Sequence, residues 1–140
     1  MRSGTKFRKL LFAAGCWPLF ALAVTGQPAT TTTLTSNTNP QCENLDVTFT
    51  ATVTSGATGS VEFLDGVTVI GTSTLSGGTA ALTINSLSAG THSITAHYLG
   101  DGTYDPSTSS PPVSQVIWPK PTVIATPSGQ TVCSGEIFTQ

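Results

Sequence analysis

Between positions 47 and 53 of the chain, Val47, Phe49, Ala51 and Val53 alternate with Thr48, Thr50 and Thr52. A period of two puts each set on its own face of an extended strand, so this segment predicts a strand with one apolar face and one hydroxylated face. The alternation recurs downstream. Val61 and Phe63 share a face in a run that stops at Asp65-Gly66, a dipeptide suited to a tight hairpin because glycine accepts positive φ. The run from Val67 to Leu75, with Val69 and Ile70, ends at Ser76-Gly77-Gly78, and the next, from Thr79 to Leu87, turns Ala81 or Leu82 inward with Ile84. Ser88-Ala89-Gly90 precedes a strand with Ile94, Ala96 and Tyr98 on one face. A loop separates it from Val113 to Trp118, and Thr31 to Ser36 supplies an opening strand. About seven short strands divided by turn signals, with no sustained helical period and no crossover helix, predict an all-β antiparallel sandwich.

The first 29 residues are built differently. Arg2, Lys6, Arg8 and Lys9 form a basic start, Leu10 to Val24 is apolar but interrupted by Pro18, and Thr25 to Ala29 is short, polar and small. This is the organisation of a secretory signal peptide, and the apolar run is shorter than the roughly 20 residues of a spanning helix. Cleavage is expected after Gly26 or after Ala29. Cys16 offers a lipid-anchor alternative, against which stands the apolar Trp17 to Val24 behind it. The expected organisation is a signal peptide over 1–29, a sandwich module over 30–118, and over 119–140 a linker with the truncated start of a second module. The second module is suggested by a faint repeat: Pro40 to Thr50 and Gln130 to Thr139 each run from a cysteine through a polar spacer to an aliphatic residue and Phe-Thr.

The stretches TTTTLTSNTNP, VTFTATVTS, GSVEFLDG, GTSTLSGGTAALTINSLSAGTHSITAHYLGDGTY and STSSPPVSQVI resemble the bacterial Ig-like repeat family, from Thr30 to Trp118. The resemblance implies an immunoglobulin-like antiparallel β-sandwich, in a family found in tandem arrays on large exported or cell-surface proteins, adhesins among them. It implies no catalytic residues. Two positions depart from the pattern: His97 stands where similar repeats carry an uncharged residue such as Val, and Cys42 stands where many repeats have no cysteine. The closing PTVIATPSGQTVCSG is similar to the opening of PKD-like or Ig-like repeats of bacterial surface proteins.

Composition narrows the function classes. Charged residues make up 9% of the chain, and the net charge of −2 hides an asymmetry, since four of the five basic residues lie in the first nine positions. The remainder sets seven acidic residues against Lys120 alone. Such a surface offers no cationic patch for phosphates, so nucleic acid is not an expected partner.

Candidate chemistry is sparse. An exported compartment permits a disulfide between Cys42 and Cys133, the two cysteines beyond the leader. Their equivalent places in successive modules leave an alternative, in which each thiol has a partner elsewhere or none. His92 and His97 fall on opposite faces of one strand, which rules out a joint metal site within it and reads as two surface or edge histidines. Gly-x-Ser-x-Gly does not occur, and no motif supports a Ser-His-Asp triad. Asp101 and Asp105, joined by Asp65 or Glu62, are the oxygen donors a calcium ion would use, although their spacing is not that of an EF-hand loop. Tyr104 in the loop and Trp118 at the module's end are the aromatic side chains available to a ligand such as a sugar. Phe49, Phe63 and Tyr98 read as core.

These readings lead to a non-enzymatic structural or adhesive module of a secreted or cell-surface protein, without cofactors, whose partners are neighbouring modules of a longer chain and surface glycans or proteins. The competing expectation is a carbohydrate-binding accessory module of a secreted enzyme.

Overall fold

The computed structural model describes residues 26–120, and its regular structure there is entirely β. Seven strands have five residues or more: β1 (Thr32–Ser36), β3 (Val47–Val53), β4 (Ser60–Asp65), β5 (Thr68–Thr74), β6 (Thr79–Ile84), β7 (Gly90–Tyr98) and β9 (Val113–Trp118). Two further pairs of residues, β2 (Gln41–Cys42) and β8 (Ser107–Thr108), are too short to leave a periodic signal. Residues 1–25 of the expected signal peptide, and residues 121–140 of the expected linker and second module, lie outside the described residues.

The strands form two sheets. One has the order β1-β3-β6; the other runs β2-β9-β7-β4-β5, with β8 paired to β7. Pairing is antiparallel except between β2 and β9, which run parallel over Gln41–Ile117 and Cys42–Trp118. The antiparallel expectation therefore holds with that one exception. No local crossover helix is needed for it, because β2 and β9 are far apart in sequence and the intervening strands make the connection.

The alternation in β3 becomes the core of the sandwich. Val47, Phe49, Ala51 and Val53 are buried and face Val61, Phe63, Ile94, Ala96 and Tyr98 of the other sheet. Each large side chain removed from water here contributes about 1.5–3 kcal/mol. The opposite face of the three-stranded sheet carries Thr33 and Thr35, Thr48, Thr50 and Thr52, and Thr79 and Thr83, on β1, β3 and β6 respectively. In β6, Leu82 turns inward with Ile84 and Ala80 is buried, whereas Ala81 is exposed.

Turn chemistry sets the joints. Gly66 has φ 59° at the β4–β5 hairpin, as the Asp-Gly reading requires. Gly77 and Gly78 have φ 59° and 82°, the two positive values of a type I′ turn, and Ser76 and Thr79 exchange backbone hydrogen bonds of 2.8 and 3.1 Å across them. That turn carries the chain from one sheet to the other. In β5 the period-two reading breaks down. The register shifts between Phe63 and Leu64, leaving Ile70 opposite no partner; Ile70 packs against the core while Val69 is exposed.

Candidate functional site

The chain enters and leaves the sandwich at opposite poles. At the N-terminal pole, the Pro28 carbonyl accepts from the Asp105 amide at 3.1 Å, the Gln27 side chain donates to the Asp101 carbonyl at 3.0 Å, and Thr30 Oγ1 donates to the Asp105 carbonyl at 2.7 Å. Both aspartates lie in the loop beyond the end of β7. The start of β7 is at the other pole, where Gly90 pairs with Ile117 near the end of β9. There Trp118 aligns with Cys42, and its carbonyl accepts from the Glu43 amide at 2.9 Å.

Asp101 organises the N-terminal pole. Its Oδ2 accepts from the Thr58 hydroxyl at 2.7 Å and the Thr58 amide at 2.9 Å, and its Oδ1 accepts from the amides of Thr103 and Tyr104, both at 2.7 Å. The Thr58 hydroxyl, then the Thr103 and Thr58 amides, hold this carboxyl well below the usual carboxylate range. The arrangement is that of an anion closing a loop, with both oxygens committed to protein donors. Among the described residues no group of three or more His, Cys, Asp or Glu side chains is placed to hold a metal ion. Asp105 contributes its backbone to the tether of the N-terminal segment.

Tyr104 is partly buried and packs against the core, whereas Trp118 is 40% exposed. The two aromatics named as candidate ligand contacts stand at opposite poles, so the fold does not bring them together. Cys42 is disulfide-bonded, and it is 6% exposed. The other candidate cysteine, Cys133, lies outside the described residues.

The two histidines differ in environment. They occupy opposite faces of β7, and His97 stands in register with Glu62 on the outer face. His92 departs from the surface reading: its side chain is 12% exposed, with Nδ1 2.6 Å from Asp65 Oδ2 and Nε2 2.8 Å from the Ser88 carbonyl. A carbonyl only accepts, and an ionised carboxylate only accepts, so the imidazolium is the form that satisfies both contacts. Burial alone would lower the pKa, but the Ser88 carbonyl and the Asp65 carboxylate outweigh it and raise it above the ordinary histidine value. Asp65 also accepts from the Ser93 amide at 3.2 Å, so one hairpin carboxylate ties β4 to the start of β7.

Sequence reasoning missed Gln115 and Asn39. Gln115 is fully buried on β9; its Oε1 accepts from Ser36 Oγ at 2.7 Å, and its Nε2 donates to the carbonyls of Thr38 at 3.0 Å and Val116 at 3.2 Å. Asn39 pairs like a backbone unit with β9, donating to the Ser114 carbonyl at 2.7 Å and accepting from the Val116 amide at 2.9 Å. Together they hold the segment in which the chain passes from β1 in one sheet to β2 in the other. The signal available in sequence was a glutamine at an inward position of the alternating Val113–Trp118 run.

A search of curated proteins and a search of solved structures each found no match. The family model for the bacterial Ig-like domain (group 3) matches residues 32–117, the span that carries both sheets and both poles, and the chain belongs to that family.

Proposed function

We propose that this chain supplies a spacer module of a secreted or cell-surface bacterial protein, with adhesion as the role of the array it belongs to. The observation that supports this reading is that the chain enters the sandwich at residues 27–30 and leaves it at Trp118, at opposite poles. Modules threaded in that way add end to end, and the sequence Pro119-Lys120-Pro121 that follows is of a composition that restricts a joint more than a Gly/Ser-rich one would. Group 3 domains commonly occur in extracellular or surface proteins, which fits the export signal expected over residues 1–29. The family is typically non-catalytic, and the work of the module is then to set distance and transmit tension.

The test is small-angle X-ray scattering on one, two and three copies of residues 26–120 joined through residues 119–121. A nine-residue strand at about 3.3 Å per residue makes the module about 30 Å long, so the maximum dimension should grow by about that amount per copy. Growth of less than half that amount would mean that the copies fold back on one another, and the spacer reading would fail. A glycan array screened in parallel separates the accessory-module reading: specific binding abolished by Trp118→Ala would favour it.

A further inference from the structure

We infer that His92 is a proton-operated latch at the C-terminal pole: the protonated ring holds the β6–β7 connection closed over the end of the core, and loss of the proton releases Ser88 while Asp65 keeps the ring. Its position follows from strand parity. Ile94, Ala96 and Tyr98 are the inward, buried residues of β7, so His92 belongs to the same series, two residues nearer the pole. Asp65, the last residue of β4, pairs with Ile94 and continues the series of Val61 and Phe63. The ring therefore sits at the end of the space between the sheets and meets two elements at once. On one side the Asp65 carboxylate, from the six-stranded sheet, lies 2.6 Å from Nδ1. On the other the Ser88 carbonyl lies 2.8 Å from Nε2, in the connection that leaves β6 of the three-stranded sheet. That connection, residues 85–89, is anchored by the Ser88 carbonyl and by Leu87, which is 8% exposed in the core. No backbone–backbone hydrogen bond reaches it among the described residues.

Two acceptors on one ring make the contact depend on a proton. An imidazolium donates at both nitrogens, whereas a neutral imidazole donates at one and presents a lone pair at the other. A carboxylate binds an N–H more strongly than a neutral carbonyl does, so the neutral ring keeps its hydrogen on Nδ1, facing Asp65. Nε2 then turns a lone pair toward the Ser88 oxygen. That repulsion is relieved when the carbonyl turns to water, which the exposed position of Ser88 permits, and Leu87 is left as the anchor of the connection. No other titratable group takes over from the proton. β9 carries none, and its residue in register with His92 is the buried Gln115; β5 and residues 85–89 carry none either. Asp46 is exposed beside Val47, which pairs with Ile84 ahead of the connection, and Glu43 accepts from the Lys120 amide where the chain leaves. Glu62 and His97 face each other on the outer side of β4 and β7. Among these groups Asp65 is the charge that acts on the ring. Burial opposes the imidazolium, but the Ser88 carbonyl and Asp65 outweigh it and hold the proton to above pH 6.5. The latch is closed in acid and opens as pH rises through the folded-state value.

The experiment uses the full chain carrying His97→Val, which leaves His92 as the sole imidazole. Ring nitrogen shifts, read by NMR from about pH 5 to about pH 9, report the protonation state and the tautomer. Both nitrogens should carry hydrogen at the acid end, and Nδ1 alone at the alkaline end. Across the same transition the Leu87 methyl groups should become at least about twofold more sensitive to a soluble paramagnetic probe, as a locally opened connection requires, while Val53, buried at the other pole, does not change. Hydrogen retained on Nε2 of the neutral ring, a Leu87 signal that ignores the titration, or an equal rise at Val53 would each overturn the latch. Two variants separate the proton from packing. His92→Gln should abolish the step at Leu87, and a step that survives would remove His92 as its cause. Asp65→Asn keeps an acceptor but removes the charge, so the transition should move to lower pH; a transition that stays in place would show that the carboxylate does not hold the ring.

Discussion

Replacing Gln115 with alanine tests whether the crossing between the sheets is held by one buried amide. The side chain is fully buried and makes three hydrogen bonds, to Ser36 Oγ and the carbonyls of Thr38 and Val116. Alanine removes all three and leaves the Ser36 hydroxyl and the Thr38 carbonyl to find other partners. A net hydrogen bond contributes about 1 kcal/mol, and a buried group left unsatisfied costs about 1–3 kcal/mol. Partial access of water to half-buried Ser36 and to exposed Thr38 recovers part of this, so the expected loss is about 3 kcal/mol. That is a large share of the roughly 5–15 kcal/mol that stabilises a domain. Urea unfolding followed by far-ultraviolet circular dichroism measures it. With an m-value of about 1–3 kcal/mol per M, the midpoint should fall by about 1 M or more at unchanged m. A loss below about 1 kcal/mol would show that the β1–β2 crossing is held by the Asn39 pairing and by packing, and the reasoning about Gln115 would be wrong.

Other expectations rest on single contacts. Because His92 has its pKa raised above the ordinary 6.5, its contribution is complete below that pH and is lost as pH rises through the folded-state value; melting temperature should fall as pH rises from 6.5 in the wild type and lose that slope in His92→Gln. Asp101 behaves oppositely, its pKa being lowered from 3.8, so its contribution is present above that pH and disappears as pH falls through the folded-state value. Asp101→Ala should therefore flatten the acid limb of the melting curve and speed amide exchange at Thr103 and Tyr104, and unchanged exchange would remove Asp101 as the organiser of the loop. The Tyr98 hydroxyl is buried near the Asp101 carboxylate and the Thr58 backbone but makes no hydrogen bond of good geometry among the described residues, so Tyr98→Phe should raise stability by about 1 kcal/mol, visible as a higher melting temperature; a drop would mean that the contacts to Asp101 and Thr58 satisfy the hydroxyl.

Fold class was legible because it rests on local signals. The alternation through Val47–Val53 and Ile94–Tyr98, the Asp65-Gly66 and Gly77-Gly78 turns, and the core assignment of Phe49, Phe63 and Tyr98 all follow from side-chain period and backbone freedom. Those properties belong to a few neighbouring residues, and the tertiary structure had only to respect them. What the tertiary structure decided is which distant residues meet. The parallel pairing of Cys42 with Trp118, the amides of Gln115 and Asn39 across the β1–β2 crossing, and the closure of His92 on Asp65 join positions 27 to 79 residues apart in sequence. No periodicity encodes such partners, because each contact becomes favourable only once two sheets have packed and excluded water from between them. The separation of Tyr104 from Trp118 is of the same kind: thirteen residues lie between them along the chain, yet an extended return strand carries the second to the opposite pole.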